Sequence, residues 1–217
     1  MGRDAEDGPT VSRGAEASLR RVEWMGRAAL LKERDLKAYR PKALDERLRR
    51  ERTRTEARLL VEARRLGVRT PIVYDVDLTR HRLVIEEMPG PTLKQLIDQH
   101  PQERGPLEEP VRRFGRALGR LHAGGISHGD LTSSNVLFPE AEAGEPAFLD
   151  LSMGSRNAGV EELGIDLHLV EGDLRALHPE GGKLMETFLS GYNEGNPQRA
   201  AEVRARAREI RGRVRYA

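Results

Sequence analysis

The chain has 217 residues, enough to bury a hydrophobic core as one compact domain or as two lobes. It has no cysteine, which excludes a disulfide scaffold and a thiolate zinc site. It also has no apolar run near the roughly 20 residues that a membrane helix needs, and its polar, acidic first ten residues are not a signal peptide. We therefore expect a cytoplasmic protein with no membrane partner.

The first part of the chain predicts short strands and one long helix. The apolar-rich pieces SLRRVEW and RAALLKER predict two strands joined by a turn at Met25 and Gly26. A helix is predicted from Pro41 to about Leu66, because proline favours the first helical position and Gly67 then ends the pattern. Two further strands are predicted in TPIVYDVD and HRLVIEEM.

The second part of the chain predicts mostly helices. The breaker cluster Met88-Pro89-Gly90-Pro91 indicates a hinge between two lobes, and Thr92 is expected to cap the next helix. A helical apolar stripe follows in EEPVRRFGRALGRLHAGG, then a short strand in AFLDLS, and then helices to the C-terminus. Strands before helices predict an α+β fold with a small strand-rich lobe and a helical one. We expect a flexible N-terminus, a first lobe, a minimal second lobe and a basic tail, at residues 1–10, 11–88, 89–198 and 199–217.

Two residues of the first lobe are candidates for an ion pair at a phosphate site. Lys32 lies on a predicted strand at the edge of the core, although a surface lysine with its stem on apolar residues explains it too. Glu56 shares a helical face with apolar residues three, four and seven positions on. A carboxylate on that face needs a partner, because burying it alone is costly. Lys32 is the natural partner, and a solvated Glu56 beside Arg52 or Arg58 is the alternative.

The stretch ISHGDLTSSNVLF places Asp130 and Asn135 in one loop after a helix. Phosphoryl transfer needs a cation on the phosphates, oxygen ligands for magnesium and a carboxylate near the attacking hydroxyl. In that interpretation Asp130 accepts the substrate proton and Asn135 gives an amide oxygen to magnesium. Asp150 ends the strand in AFLDLS, which we expect to pair with NVLF and to bring Asp150 beside Asn135. His128 is expected to hold the loop by hydrogen bonds, and an ordinary polar turn is the alternative for the whole stretch.

Together these residues resemble the protein-kinase-like fold, from Gly14 to about Leu177. More specifically, RGAEAS, LLKERDLKAYRPKALDERLRRERTRTEARLL, HGDLTSSNVLF and Asp-Leu-Ser in place of Asp-Phe-Gly resemble the KEOPS-complex atypical kinases. These small subunits accompany a Kae-type threonylcarbamoyl transferase and the other KEOPS subunits. The resemblance covers nearly the whole chain. It implies an ATP- and Mg²⁺-dependent serine/threonine kinase and ATPase that serves the synthesis of threonylcarbamoyladenosine in tRNA.

The resemblance also implies a role for each matching residue. Lys32 holds the phosphates and Glu56 orients it. Asp130 is the catalytic acceptor, and Asn135 and Asp150 bind magnesium. Further ATP contacts are implied for the hinge and for the short nucleotide loop, at Glu86, Met88, Gly14, Ala15 and Glu16.

The sequence departs from larger protein kinases in ways that bear on activity. RGAEAS is shorter than the full glycine-rich loop, and no Ala-Pro-Glu sequence follows Asp150. We therefore favour partner-dependent ATP hydrolysis, with transfer to serine or threonine as a secondary capability. Two alternatives stay open: a small-molecule phosphotransferase of the aminoglycoside type, and a nucleotide-binding scaffold with negligible turnover.

Arginine is concentrated in two stretches, although the formal net charge is only +2. The first, KALDERLRRERTRTEARLL, fits a surface that contacts a partner or nucleic acid, and it fits a solvated helix face of Glu–Arg pairs equally well. In the C-terminal stretch, four arginines share one helical face, and their contacts with a phosphate backbone would depend on salt but not on base sequence. The resemblance implies tRNA as the ligand, and a solvated or partner-docking tail is the alternative. The four arginines of this face are Arg204, Arg208, Arg211 and Arg215.

Overall fold

The computed structural model describes residues 10–13, 16–139 and 144–214. Three of the predicted site residues lie outside the described residues. They are Gly14 and Ala15 of the expected nucleotide loop and Arg215 of the C-terminal arginine face.

Among the residues described, those of the first part form a five-stranded antiparallel sheet, in the order β1-β2-β3-β5-β4. The turn between β2 and β3 has positive φ at both Met25 and Gly26, the geometry that matches the twist of a two-residue hairpin. The predicted strands and this turn are confirmed. The five strands are β1 (Thr10–Arg13), β2 (Ala17–Trp24), β3 (Arg27–Arg34), β4 (Val73–Asp77) and β5 (Arg82–Glu86).

One long helix, α1 (Lys42–Arg65), connects β3 to β4. Pro41 is its N-cap, and Gly67, just after it, has φ +73°, a left-handed conformation that favours glycine. The predicted helix is therefore confirmed to within a residue at either end. Its buried side includes Glu56, Leu59, Leu60 and Ala63, the face that the sequence pattern indicates.

In the described residues, five helices make up most of the second part. Thr92 caps α2 through a capping box with Gln95, as its position in the sequence predicts. Helices α3 and α5 approach closely, because a Cβ atom at Gly115 would meet the carbonyl oxygen of Phe188 and one at Gly191 would meet that of Arg112. The helices are α2 (Leu93–Gln99), α3 (Gly105–Ala123), α4 (Val160–Leu177), α5 (Gly181–Gly195) and α6 (Ala200–Val214).

Between α3 and α4, the part of the chain that the structure describes contains four two-residue strands. β6 (Ile126–Ser127) pairs with β9 (Ser155–Arg156), and β7 (Val136–Leu137) pairs with β8 (Ala147–Phe148). The predicted pairing of NVLF with AFLDLS is confirmed, but β8 is shorter than predicted. It ends before Asp150, which has a left-handed conformation (φ 54°, ψ 65°) that no regular strand accommodates.

The predicted α+β fold is confirmed by this order of a sheet followed by helices. The boundaries of the lobes at residues 88 and 198 stay predictions. In the part of the chain that the structure describes, no helix combines the length and the apolar character needed to cross a membrane.

Candidate active site

A buried ion pair joins the sheet to α1. Lys32 Nζ on β3 donates to Glu56 Oε1 at 2.6 Å, and the two residues are 7% and 1% exposed. The predicted partnership is therefore present, and neither a surface lysine nor a solvated glutamate describes the structure. A buried pair needs further hydrogen bonds to offset the loss of hydration.

Arg34, which was not predicted from the sequence, supplies one of these bonds. Its Nη2 lies 2.5 Å from Glu56 Oε2, and the residue is 4% exposed. Residues 32 and 34 lie on the same face of β3, since side chains on a strand alternate. That spacing was the available signal. Both oxygens of Glu56 are thus bound by cations.

Asp150 shares the same lysine. Its Oδ1 lies 3.0 Å from Lys32 Nζ. Burial by itself would raise the pKa of Asp150, but the Lys32 ammonium and a hydrogen bond from Ser152 lower it to about 2. Asp150 is therefore ionised at neutral pH, as a magnesium ligand must be.

His128 holds the loop that carries Asp130. Its Nε2 donates to the carbonyl oxygen of Leu149 at 2.9 Å, and its Nδ1 accepts from the Asp130 N–H at 3.4 Å. Burial lowers the pKa of His128, so that the ring is neutral at neutral pH. The predicted structural role of His128 is confirmed by these hydrogen bonds.

Asn135 is oriented by the same loop. Its Nδ2 donates to the carbonyl oxygen of Asp130 at 2.9 Å, which leaves Oδ1 available as a ligand. In the part of the chain that the structure describes, no group of three or more His, Cys, Asp or Glu residues forms a metal cluster. One carboxylate and one amide fit Mg²⁺, which takes its other ligands from water and phosphate oxygens. Asn135 and Asp150 therefore suit that ion.

Asp166 on α4, which was not predicted from the sequence, fixes the backbone of the loop. It accepts from the N–H groups of His128 at 2.6 Å and Gly129 at 2.8 Å, and from His122 Nε2 at 3.1 Å. Burial alone would raise the pKa of Asp166, but the bond from His122 and the neighbouring donors lower it. His122 is held in turn by the hydroxyl of Tyr192 at 2.8 Å. The sequence signal was a carboxylate on the apolar face of a predicted helix.

One cavity of about 730 Å³ lies between the sheet, α1 and the segments at residues 129–137 and 149–153. Part of its wall is apolar and suits a planar base, with Leu30, Ile85, Met88, Leu137 and Leu149. Charged side chains, Lys32 among them, form another part of the wall. The cavity brings together every predicted ATP, catalytic and metal residue that the structure describes: Glu16, Lys32, Glu56, Glu86, Met88, Asp130, Asn135 and Asp150.

The predicted arginine face lies on α6, away from this cavity, and its members differ in their partners. Arg211 pairs with Glu171 of α4, and Arg204 Nη1 lies 3.5 Å from Asn193 Oδ1. Arg208 is exposed and has neither a hydrogen bond nor an ion pair with the rest of the described chain. Of these three, Arg208 is therefore the most available to a ligand.

The sheet, the buried Lys–Glu pair and the His-Gly-Asp loop define a protein-kinase-like protein. Many solved structures share this fold, among them those of Rio2 kinase and WaaP. The Rio2 kinase–ADP/Mg²⁺–phosphoaspartate complex from Chaetomium thermophilum is 16% identical, with a TM-score of 0.63 over 98% of this chain and 73% of the other. WaaP in complex with acyl carrier protein is 19% identical, with a TM-score of 0.57 over 94% and 88%. The predicted kinase-like fold is confirmed.

Sequence relatives narrow the family. The model of the lipopolysaccharide kinase (Kdo/WaaP) family matches residues 9–162. The KEOPS complex subunit Bud32 of Pyrococcus abyssi is 35% identical over 214 residues, 95% of each chain. The chain therefore belongs to the Bud32 family, as the sequence resemblance predicts.

Longer relatives contain the same domain. A "Probable bifunctional tRNA threonylcarbamoyladenosine biosynthesis protein" of Methanosarcina mazei is 41% identical over 212 residues, and one of Methanothermobacter thermautotrophicus is 36% identical over 207. The matches cover 97% and 95% of this chain but 36% of each relative. The chain thus spans about a third of the length of these relatives.

Proposed function

We propose that the chain is a Mg²⁺-ATP-dependent atypical serine/threonine kinase and ATPase that supports threonylcarbamoyladenosine modification of tRNA. One observation carries the proposal: a single cavity joins the buried Lys32–Glu56 pair to Asp130, Asn135 and Asp150. The names of the relatives support the modification pathway, with a Kae-type transferase and other KEOPS subunits as partners. We propose that the protein acts in the cytoplasm.

Each side chain would have a defined task in phosphoryl transfer. Lys32, fixed by Glu56, would direct its remaining N–H groups at the phosphates of ATP. Asn135 and Asp150 would hold Mg²⁺, which when bound offsets the charge of the phosphate oxygens. Asp130 is exposed at the cavity and would accept the proton of the attacking hydroxyl.

The path of the chain after Asp150 favours hydrolysis over transfer to a protein. A single turn of 3₁₀-helix (Leu151–Met153) and β9 follow Asp150, and α4 then begins at Val160. This short connection offers little surface to dock a peptide, whereas the exposed Asp130 is accessible to water. We therefore propose ATP hydrolysis coupled to the transferase as the main activity, with transfer to serine or threonine as secondary.

A role in tRNA contact is proposed for the arginine face of α6. Arg208 is its most available member, and the contact would be to phosphates and insensitive to base sequence.

The proposed function is tested by measuring ATP hydrolysis by the chain alone, with a purified Kae-type transferase, and with transferase and tRNA at two salt concentrations. We expect the transferase to stimulate hydrolysis, and high salt to remove only the additional effect of tRNA. Phosphorylation of an aminoglycoside without a response to transferase would instead indicate a small-molecule phosphotransferase. Nucleotide binding without hydrolysis in any mixture would indicate a scaffold.

A further inference from the structure

Arg52 lies beside the catalytic residues and has no role in the site described above. It precedes Glu56 by one turn of α1, so both side chains leave the helix on the same side. Its side chain is 21% exposed and lines the same cavity as Lys32 and Asp130. The guanidinium therefore lies beside whatever occupies that cavity.

Glu16 fixes the position of this guanidinium. Arg52 Nη1 donates to Glu16 Oε2 at 2.6 Å. This bond uses one of the five N–H groups of Arg52, and the described residues take up none of the others. Arg52 is thus held in place with most of its donors free for a ligand.

Glu16 does not depend on Arg52 for its own position. Its other carboxylate oxygen accepts from Arg40 Nη2 at 3.1 Å, and its carbonyl oxygen accepts from the Asp35 N–H at 3.3 Å. Arg40 does not line the cavity. An arginine that served only to fasten Glu16 would duplicate Arg40, which leaves the cavity-facing donors of Arg52 unexplained.

The charges of the cavity wall also call for a further cation. Its acidic side chains are Glu16, Glu56, Glu86, Asp130 and Asp150, and its basic ones are Lys32 and Arg52. Lys32 already contacts two of the carboxylates, those of Glu56 and Asp150. Among the described residues that line the cavity, Arg52 is therefore the cation with the most donors to spare.

We propose that Arg52 binds the terminal phosphate of ATP and that Glu16 holds its guanidinium in position to do so. The planar fork of arginine suits two phosphate oxygens at once. This inference rests on the proposed function, since it assumes that ATP occupies the cavity. It makes Arg52 the residue by which the site distinguishes ATP from ADP.

The test measures dissociation constants for Mg²⁺-ATP and Mg²⁺-ADP with the purified full chain. We expect Arg52→Ala to raise the dissociation constant of ATP roughly tenfold and that of ADP less than about threefold. Arg52→Lys should recover part of the preference for ATP, because it restores the charge but not the fork. The ratio of the two constants is the readout.

Two matched controls separate a ligand role from a structural one. Arg54→Ala removes the same charge from an exposed position of the same helix, outside this cavity. Arg40→Ala removes the other guanidinium from Glu16. Both controls should leave the ATP-to-ADP ratio within about twofold of the wild type.

Equal losses of ATP and ADP binding in Arg52→Ala would overturn the inference, as would an equal change of the ATP-to-ADP ratio in Arg40→Ala. Arg52 would then have only the structural role of holding Glu16. A wild-type chain that binds neither nucleotide would overturn the proposed function as well. The two failures are therefore distinguishable.

Discussion

The ammonium of Lys32 lies 3.0 Å from the carboxylate of Asp150, so the residue expected to hold phosphates is paired with the residue expected to hold magnesium. The same ammonium lies 2.6 Å from Glu56. Binding of ATP would therefore rearrange the ion pairs among these three side chains, and a divalent cation on Asp150 would free Lys32 for the phosphates.

Binding of ATP should therefore require a divalent cation. Among the described residues of the cavity wall, acidic side chains outnumber basic ones, so ATP alone would meet net repulsion there. We expect its dissociation constant to rise about tenfold or more when EDTA replaces Mg²⁺, measured by titration calorimetry. In Asp150→Asn, which lacks the carboxylate ligand, the difference between Mg²⁺ and EDTA should shrink. Equal affinities in Mg²⁺ and EDTA for the wild type would contradict this prediction.

The losses of unfolding free energy on replacing Lys32 and Arg34 should be strongly coupled, because each residue neutralises one oxygen of the buried Glu56. Lys32→Met or Arg34→Met alone leaves Glu56 with one cation, whereas the double variant leaves it with none. We expect the double variant to lose about 3–5 kcal/mol of unfolding free energy, more than the sum of the single losses.

Urea unfolding of the four proteins in this cycle measures the coupling. Adding Glu56→Gln to the double variant serves as a control and should restore stability, because it removes the unpaired buried charge. Strictly additive single losses, or no recovery with Glu56→Gln, would show that Glu56 is not held by the two cations together.

Asp166→Asn should destabilise the protein in a pH-dependent manner. At pH 7 we expect a loss of about 1–3 kcal/mol, because Asn cannot accept all the bonds from His122 and the loop N–H groups. The folded pKa of Asp166 lies below its ordinary value of 3.8. The contribution of ionised Asp166 to the free energy of unfolding is therefore complete above that value. It is lost as the pH falls through the lower pKa of the folded state.

The difference in unfolding free energy between wild type and Asp166→Asn should thus be constant down to about pH 4 and narrow below it. Urea titrations between pH 7 and pH 3 measure that difference. A difference that widens on acidification would mean that the pKa of Asp166 is raised in the folded protein, contrary to the geometry.

The contribution of the arginine face to tRNA binding should reside mainly in Arg208. Arg211 is paired with Glu171, so Arg211→Ala removes a cation that is already neutralised. Arg208→Ala should lower the slope of log affinity against log salt by about one, with a smaller change for Arg211→Ala. Fluorescence anisotropy with labelled tRNA at several salt concentrations measures both slopes. An unchanged slope in Arg208→Ala would count against contact at this face.

The sequence predicts much of the site because local periodicity determines which face a side chain occupies. Strand alternation places Lys32 toward the core, and helical spacing places Glu56 on the buried face of α1. The pairing of β7 with β8 brings the loop of Asn135 and the strand before Asp150 together. Each of these relationships lies within one strand or helix, or between two paired strands.

Arg34 could have been found from strand alternation, but the roles of Asp166 and Arg52 depend on tertiary contacts. Asp166 lies on a different element from His128, 38 residues along the chain, and no local pattern indicates that it binds the loop. Arg52 follows the spacing of Glu56, but a solvated arginine on a charged helix has the same sequence appearance. The contact between Arg52 and Glu16 exists only when the sheet is folded.

The central claim is that Asp130 acts catalytically in a Mg²⁺-ATP site. It is tested most directly by ATP hydrolysis of the wild type and Asp130→Asn in the presence of the Kae-type transferase, with Mg²⁺-ATP affinity measured on the same samples. We predict that turnover falls by about 100-fold or more, while the affinity and the melting temperature change little. Full hydrolysis by Asp130→Asn would contradict the account.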